Sequence, residues 1–354
     1  MKRPRWLDER DPPLARRVAL APLRAASWCY GMAARAHRTA YESGVLSRSR
    51  LACEVVSVGS LVVGGSGKTP LAAWIAVQLH ARGQRVALAT RGYGGAPREP
   101  VHVASDGERL LESPSVVGDE ALLLARLAPA VPVVVARERA RAGQLAIARF
   151  GADVLVLDDG FQHHALARDV DLVVFGRDGL GSGALLPRGP LRESLGALSR
   201  ADAILVVGGE LPAPDEARIA QAAPAATRFR VLRAPRGLGK WGQARIAHPT
   251  EPPSSLAGRE VGVLSALAHP RALRETVEAI GARVIAERTF ADHHLYRASD
   301  LSGLAAQAPL WVTSEKDAVK LDPAWCGSAN VRVLALETSV AEPEKFLAWL
   351  DARL

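Results

Sequence analysis

Short runs of β-branched apolar residues alternate with longer helical stretches from residue 54 onward. Apolar runs of about four to eight residues between Gly, Pro or charged residues are typical of buried strands, and a period of about 3.6 residues is typical of helices. Six runs in the first part are predicted strands, at 54–61, 85–89, 131–136, 153–157, 171–175 and 203–207. This alternation predicts an α/β fold with mainly parallel sheets.

The alternation is interrupted at residues 209–258, where prolines, glycines and charged residues accumulate. It resumes with predicted strands at 261–264, 283–288, 310–313 and 331–335, and with predicted helices at 270–280 and 342–354. Breaks of this composition are typical of connections between domains. We therefore predict a domain at 51–208, a linker region at 209–258 and a smaller C-terminal α/β domain at 259–354.

Residues 1–50 have a different pattern, in which a helix is predicted over 14–41. Its apolar positions recur every three or four residues on one face: Leu14, Val18, Ala21, Ala25, Trp28, Met32 and Ala36. Arginines cluster on another flank, which is typical of a helix lying on a membrane surface. An amphipathic helix packed on the domain and kinked at Pro22 has the same pattern, so both interpretations stay open. No apolar stretch is long enough to span a bilayer.

The charge distribution narrows the class of partner. The chain of 354 residues has a net charge of +8, but residues 1–50 hold eleven Lys or Arg against four Asp or Glu. The rest is nearly neutral, and no basic stripe with interleaved aromatic residues indicates nucleic-acid binding. Three scattered cysteines, Cys29, Cys53 and Cys326, indicate neither a zinc site nor a disulfide framework, and favour a reducing compartment.

A glycine-rich segment follows the first predicted strand and precedes a helix. It is Val62, Val63, Gly64, Gly65, Ser66, Gly67, Lys68 and Thr69. In a P-loop, backbone N–H groups surround phosphate oxygens, the lysine meets the outer phosphates and the hydroxyl reaches Mg²⁺. Val62 stands where the general motif has its first glycine. A glycine-rich turn is the alternative, and the strand-to-helix context favours the P-loop.

Two carboxylates, Asp158 and Asp159, end the strand predicted at 153–157. Alone they indicate a turn, but beside a P-loop they favour a magnesium site. Recognition of GTP needs an Asn/Thr-Lys-x-Asp sequence. The nearest segment, 314–317, has Lys316 and Asp317 adjacent, so ATP is the predicted nucleotide.

Several further motifs complete a recognisable set. They are Arg91-Gly92-Tyr93-Gly94, Gly118-Asp119-Glu120, Gly160-Phe161-Gln162-His163-His164, the segment 181–193, Asp292-His293-His294 and the segment 313–318. From the N-terminal helix to about residue 321, the chain resembles the tetraacyldisaccharide 4'-kinase family. The P-loop of that family also lacks the first glycine. The family commonly has Gly-Asn before the loop, whereas this chain has Gly59-Ser60.

The resemblance implies two P-loop-like α/β/α sandwich domains joined by a short β linker, with the second domain closing over ATP on the first. It implies transfer of the γ-phosphate of ATP, with Mg²⁺, to the 4'-hydroxyl of a lipid-linked disaccharide 1-phosphate. It places the enzyme peripherally at the cytoplasmic face of the inner membrane, held through the N-terminal helix. No obligate protein partner is evident.

The resemblance also implies roles for individual residues. Asp119 is the expected base, paired on domain closure with His293, while Lys68 serves phosphate transfer, and Thr69, Asp158 and Asp159 serve Mg²⁺. Residues expected around the sugar and its 1-phosphate are Arg91, Tyr93, Gln162, His163, Arg192 and Glu193. If the family resemblance is left aside, the local pattern favours other interpretations: Asp119 as a helix N-cap, His293 as a loop histidine and Arg192 as a solvent-exposed charge. Phe161, His164 and His294 are expected to pack or to support the site.

Two other functions fit the P-loop. One is a soluble kinase or ATP-dependent ligase of another small molecule, whose activity would not depend on lipid. The other is a nucleotide-dependent switch at the membrane, which would hydrolyse ATP without any acceptor. A phosphorylated lipid product distinguishes the predicted kinase from both.

Overall fold

A computed structural model describes residues 7–10, 13–96, 99–240 and 249–354. Residues 1–6 and 11–12 of the predicted N-terminal region, 241–248 of the predicted linker and the side chain of Leu14 lie outside the described residues. The strands are β1 Glu54–Gly59, β2 Val86–Thr90, β3 Val101–Ser105, β4 Val133–Ala136, β5 Val154–Asp158, β6 Val170–Gly176, β7 Ala203–Val207, β8 Thr227–Gly239, β9 Glu260–Ser265, β10 Arg283–Thr289, β11 Trp311–Ser314 and β12 Val331–Val340.

The helices alternate with these strands. They are α1 Leu14–Ala19, α2 Ala21–Glu42, α3 Lys68–Ala81, α4 Pro114–Val117, α5 Asp119–Leu127, α6 Arg139–Phe150, α7 Ala213–Ala222, α8 Pro270–Ala279, α9 Leu304–Gln307, α10 Glu315–Ala318 and α11 Pro343–Asp351. All ten predicted strands are present, and the predicted α/β class with mainly parallel strands is confirmed. The patterns of β3 and β8 were not recognised in the sequence.

The chain forms two compact units that are not contiguous in sequence. Among the described residues, the P-loop unit comprises 7–10, 13–91, 134–232 and 339–354, and the His293 unit comprises 92–96, 99–133, 233–240 and 249–338. This division differs from the expected series of contiguous domains, because a central segment joins the His293 unit and the C-terminal helix joins the P-loop unit. Among the described residues, the chain passes from one unit to the other after Arg91, Val133, Leu232 and Thr338.

In the P-loop unit, strand order is β8-β7-β6-β1-β5-β2-β4. The registered pairs from β2 to β8 are parallel, so the carboxyl ends of β1 and β5 lie side by side. These central strands are buried along almost their full length, and α3 packs on β1, β2 and β5. Ligand groups in such sheets gather at the carboxyl ends of the strands.

In the His293 unit, strand order is β10-β9-β11-β12 and the registered pairs are again parallel. Helix α8 packs on β9 and β10, and the short helix α10 packs on α5. The buried Trp311 donates its indole N–H to the carbonyl of Leu304 at 2.8 Å, which fixes α9 beside β11. These contacts position the loops that follow β10 and β11.

The predicted N-terminal helix is two helices, which meet at Leu20 just before Pro22. Helix α2 packs on the P-loop unit through Ser27, whose hydroxyl oxygen lies 2.8 Å from the carbonyl oxygen of Leu23 and 2.9 Å from that of Leu185. The predicted apolar face points elsewhere, because Trp28 is 68% exposed and Met32 is 53% exposed. Among the described residues, no helix is both long enough and apolar enough to cross a membrane.

Candidate functional site

The P-loop joins the end of β1 to the start of α3. Gly67, the residue before α3, has a φ of 86°, in the left-handed region that favours glycine. Val62 needs no such freedom, because its side chain is buried and its backbone pairs with Leu191 in an antiparallel bridge. Val63 donates its N–H to the carbonyl of Pro190 at 2.9 Å. The segment around Leu191 therefore anchors the first part of the loop, where the general motif has a glycine.

Two oxygen-bearing side chains meet beside the P-loop. The Thr69 hydroxyl, in the first turn of α3, donates to Asp158 Oδ2 at 2.9 Å. Asp158 ends β5 and is almost completely buried. Hydroxyl and carboxylate oxygens at a P-loop suit Mg²⁺, which takes one or two protein ligands and completes its shell with water and phosphate. The residues present therefore fit the predicted ion, although no cluster of three or more His, Cys, Asp or Glu suited to a metal occurs among the described residues.

Asp159 collects the positive side chains of this site. Its carboxylate lies 3.7 Å from Lys68 Nζ and accepts from Arg192 Nη1 at 2.7 and 2.8 Å. Burial acts to raise the pKa of Asp159, but Lys68 and Arg192 outweigh it, so the pKa lies below the usual value. Arg192 also donates to Gln162 Oε1 at 3.3 Å. Asp159, predicted for Mg²⁺, thus contacts both Lys68, predicted for phosphate transfer, and Arg192, predicted for the substrate.

Glu193, which was predicted among the residues around the substrate, is almost completely buried. Its carboxylate pairs with the Arg200 guanidinium at 3.1 Å and lies 3.8 Å from His164 Nε2. Arg200 also stacks over the buried Phe161 ring at 4.4 Å. The expectation that Phe161 and His164 pack beneath the site agrees with this burial. The buried ion pair of Glu193 with Arg200 holds the segment that carries Arg192.

Gln162 and His163 lie in the turn after Asp159. Gln162 Nε2 donates to the carbonyl of Ser60 at 3.2 Å, which ties this turn to the segment between β1 and the P-loop. The Ser60 hydroxyl is buried and accepts from the Val62 N–H at 3.2 Å, so this side chain supports the loop from within. Burial and nearby arginines, including Arg91, lower the pKa of His163 to about 4, so its ring is neutral near pH 7.

In the His293 unit, the predicted catalytic pair is already formed. His293 Nδ1 lies 3.0 and 3.1 Å from the two carboxylate oxygens of Asp119. An ionised carboxylate can only accept, so His293 donates from Nδ1 to Asp119, while its Nε2 lies 3.4 Å from Lys316 Nζ and 3.5 Å from Asp292 Oδ2. His293 has a φ of 59°, a conformation that a non-glycine residue adopts only when its surroundings impose it.

Two of the expectations about Asp119 are corrected. Asp119 is the first residue of α5 and Gly118 is the N-cap, so the interpretation of Asp119 as an N-cap is wrong. Asp119 and His293 belong to one compact unit, so their pairing does not require the closure of one domain on another.

The environment of Asp119 keeps it ionised. Burial acts to raise its pKa, but the hydrogen bond from His293 and the charges of Lys316 and Lys320 outweigh burial, so the pKa lies below the usual value. Lys316 pairs with Asp292 Oδ1 at 3.0 Å, and Lys320 Nζ lies 3.6 Å from Asp119 Oδ2. Neither lysine has a role that the sequence predicts; their four-residue spacing, in and beside the segment 313–318, is the pattern that could have indicated one.

Tyr93 lies beside the same pair. Its ring centroid is 4.9 Å from that of His293, and its side chain is 61% exposed. Gly118 makes this approach possible: its φ is 83°, and a Cβ there would lie 2.3 Å from the carbonyl oxygen of Tyr93. Arg91, which was predicted with Tyr93 as one motif, belongs to the other unit and is exposed. The structure thus brings Tyr93, Asp119 and His293 together in one unit, and the other predicted residues in the other.

Known proteins match this chain over almost its full length. The family model described as tetraacyldisaccharide-1-P 4'-kinase matches residues 19–354. A tetraacyldisaccharide 4'-kinase from Anaeromyxobacter dehalogenans (strain 2CP-C) is 44% identical, over 93% of this chain and 88% of the relative. One from Alkalilimnicola ehrlichii is 42% identical, over 89% of this chain and 86% of the relative.

A solved structure shares the fold. The crystal structure of the "apo" form of LpxK from Aquifex aeolicus, in complex with ATP, superposes with a TM-score of 0.75 at 29% identity. The match covers 95% of this chain and 99% of that one. The P-loop, the paired Asp119 and His293, and these full-length matches lead to one conclusion: this chain belongs to the tetraacyldisaccharide 1-phosphate 4'-kinase family.

Proposed function

We propose that the chain transfers the γ-phosphate of ATP to the 4'-hydroxyl of a tetraacyldisaccharide 1-phosphate, forming lipid IVA in lipid A biosynthesis, and that the residues described above divide the work. Family membership supports the reaction. The observation that carries the phosphotransfer assignment is the contact of Thr69 with Asp158 beside Lys68. A glycine-rich turn without nucleotide would not require this arrangement of hydroxyl, carboxylate and ammonium at one helix N-terminus.

In the P-loop unit, we assign ATP and Mg²⁺ to the segment 62–69 and its neighbours. Backbone N–H groups and Lys68 bind the phosphates, and Thr69 with Asp158 or Asp159 holds the ion. The ion, when bound, neutralises charge on the phosphates. Asp159 now accepts from Arg192 and lies near Lys68, so it keeps both cations at the nucleotide end of the unit until phosphate oxygens replace it as their partner.

In the His293 unit, Asp119 accepts the proton of the attacking hydroxyl. In phosphoryl transfer the attacking oxygen needs orientation and late loss of its proton rather than a strong base. A carboxylate with a lowered pKa meets that need, because it is fully ionised at neutral pH. His293, which donates from Nδ1, fixes the direction of the carboxylate and stabilises its charge.

We assign the acceptor sugar and its 1-phosphate to side chains of both units, of which Arg91 and Tyr93 are exposed and Gln162, His163 and Arg192 are half-buried. Arg91 and Arg192 suit phosphate because a guanidinium can donate two parallel hydrogen bonds. Tyr93 offers a ring face to a sugar, and Gln162 with the neutral His163 offers hydrogen-bonding groups. Glu193 supports Arg192 through its buried ion pair with Arg200.

A lipid-linked acceptor also gives the exposed face of α2 a function. Trp28 and Met32 on α2, and Val18 on α1, expose large apolar side chains, while Ser27 on another side of α2 packs on the P-loop unit. Basic residues concentrated at the N-terminus favour an anionic membrane surface. We therefore place the enzyme peripherally on the cytoplasmic face of the inner membrane, where its substrate lies.

The test is transfer of label from γ-labelled ATP to a tetraacylated glucosamine disaccharide 1-phosphate in detergent, with and without Mg²⁺. A bisphosphorylated product that requires Mg²⁺ is expected. Asp119→Asn should lower kcat by about 10² to 10⁴, the usual contribution of a positioned base, with ATP affinity kept. Lys68→Ala should weaken ATP binding as well as transfer.

Each assignment has its own contradicting result. A folded protein that binds ATP but makes no lipid product would exclude the proposed acceptor and favour another small molecule or a switch. Equal loss of ATP affinity in Asp119→Asn and Lys68→Ala would contradict the role of Asp119 as the base for the attacking hydroxyl. The assignment of ATP to the segment 62–69 would not be affected.

A further inference from the structure

Lys320 is a charged side chain with almost no access to water. Its side chain is 1% exposed, and its Nζ lies between two buried carboxylates, 3.2 Å from Asp317 Oδ1 and 3.6 Å from Asp119 Oδ2. Its ammonium also lies 5.5 Å above the ring centroid of Tyr296. None of the nitrogen's contacts has the alignment of a hydrogen bond, so the interaction is an ion-pair bridge. Burying a charge is costly unless opposite charges compensate it.

The second carboxylate of this bridge is rigidly held. Asp317 is completely buried, and Oδ1 accepts from the backbone N–H of Ala266 at 3.1 Å. Its Oδ2 accepts from the Ser314 hydroxyl at 2.7 Å, and Ser314 caps α10 by accepting from the Asp317 N–H. Asp317 is thus tied to the end of β9 and to the end of β11. A charge attached to Asp317 is fixed relative to the sheet of the His293 unit.

We propose that Lys320 is a positioning residue for phosphoryl transfer, which links Asp119 to the fixed carboxylate of Asp317 and so holds Asp119 at its hydrogen bond to His293. The bridge is made by one ammonium shared between two carboxylates. Asp119 is the first residue of α5, and His293 lies on the loop after β10. Lys320 follows α10 and links Asp119, through Asp317, to the sheet of the His293 unit. This inference rests on the proposed catalytic role of Asp119.

Lys316 cannot replace Lys320 in this role. Its ammonium pairs with Asp292 at 3.0 Å and lies near His293 Nε2, on the other nitrogen of the ring from Asp119. It is also more accessible, with 20% of its side chain exposed against 1% for Lys320. Both lysines lower the pKa of Asp119, but Lys316 is tied to Asp292 beside His293, whereas Lys320 joins Asp119 to the buried carboxylate of Asp317.

The experiment compares Lys320→Met, which keeps the length of the side chain, with the double variant Lys320→Met/Asp317→Asn. The single variant leaves two buried carboxylates without their shared cation, so it is expected to unfold more easily. The double variant removes both charges of one pair, so stability to urea should recover. If the single variant does not fold, the kcat and pH profile of the double variant test the inference.

Activity should not recover in the same way. In both variants Asp119 loses one of the cations that face it, while His293 and Lys316 remain, with Glu120 as its acidic neighbour. We expect kcat to fall about tenfold or more and the acid limb of the kcat/KM profile to move up by about one pH unit. The KM for ATP should stay as in the wild type. Lys345→Met, which removes an exposed lysine on α11, is the matched control and should leave kcat, the acid limb and the KM for ATP unchanged.

Asp119→Asn separates the two ways in which the inference can fail. If Asp119→Asn is inactive but the folded double variant has the wild-type kcat and pH profile, Lys320 is a structural residue only and the inference is overturned. If Asp119→Asn keeps full activity, the proposed role of Asp119 fails, and the role of Lys320 fails with it. Loss of activity with an unchanged acid limb also overturns the inference.

Discussion

At the scale of single residues, the buried His164, which lies beside Glu193, should make the free energy of unfolding depend on pH. Burial, with Arg200 and Arg168 nearby, lowers the pKa of His164 to about 3, against about 6.5 in an unfolded chain. The unfolded state therefore binds this proton more tightly, and stability should fall as pH decreases from about 6.5 toward 3. His164→Phe keeps a ring against His37 and Tyr41 but cannot titrate.

Urea unfolding at pH 8, 7 and 5 tests this dependence. Between pH 7 and 5, the free energy of unfolding of wild type should fall by about 2 kcal/mol more than that of His164→Phe, since each pH unit inside the window contributes about 1.4 kcal/mol. Between pH 8 and 7 the two proteins should change equally. Equal changes across the lower interval too would show that the pKa of His164 is the same in the folded and unfolded states, and would contradict the lowered pKa.

At the scale of secondary structure, periodicity in the sequence predicted most elements and few of their contacts. The strands around the P-loop are buried, β-branched and bounded by breakers, so their positions follow from local pattern. Gly118, the N-cap of α5, closely approaches the backbone of Tyr93, which is far from it in sequence, so local pattern could not reveal this contact. The roles of Lys320 and Glu193 depend on partners distant in sequence, so no local pattern could reveal them.

Helix α2 leads to a prediction about the membrane. Trp28 and Met32 lie on its exposed face, and each should contribute roughly 1 to 2 kcal/mol when buried in the lipid interface. Trp28→Ser/Met32→Ser should therefore reduce binding to anionic phospholipid vesicles about tenfold or more, measured by co-sedimentation. Activity on a short-chain, micelle-free acceptor should persist, because neither residue belongs to the proposed catalytic groups.

The control removes an equally exposed apolar side chain elsewhere. Leu232 on β8 is 54% exposed, and Leu232→Ser should leave vesicle binding unchanged. Equal binding by the α2 variant and wild type would favour the alternative in which α2 serves only to pack on the P-loop unit.

At the scale of the whole chain, the C-terminal helix belongs to the unit that carries the P-loop. The alternation of strands and helices predicted that α11 belongs to a C-terminal domain, because the order of elements in the sequence does not reveal which unit each element packs on. Phe346 on α11 is completely buried, and its ring lies 5.0 Å from that of Phe229 and 6.0 Å from that of Trp74 on α3. Arg82, which follows α3, pairs with Asp351 at 2.7 Å. Helix α3 begins with Lys68 and Thr69, so the C-terminus supports the helix that starts the nucleotide site.

Removal of residues 342–354 should therefore damage ATP binding, although the deleted segment lies far in sequence from the P-loop. Phe346→Ala should lower the free energy of unfolding by about 3 to 5 kcal/mol, as is usual for a buried phenylalanine, and should weaken the rise in Tm produced by MgATP. Glu344→Ala, on the same helix, removes an exposed ion pair with Arg82 and should cost at most about 1 kcal/mol. If the truncated chain kept wild-type stability and a wild-type response to MgATP, the P-loop unit would be complete without its C-terminal segment, and the contiguous domains expected from the sequence would describe the folding units better.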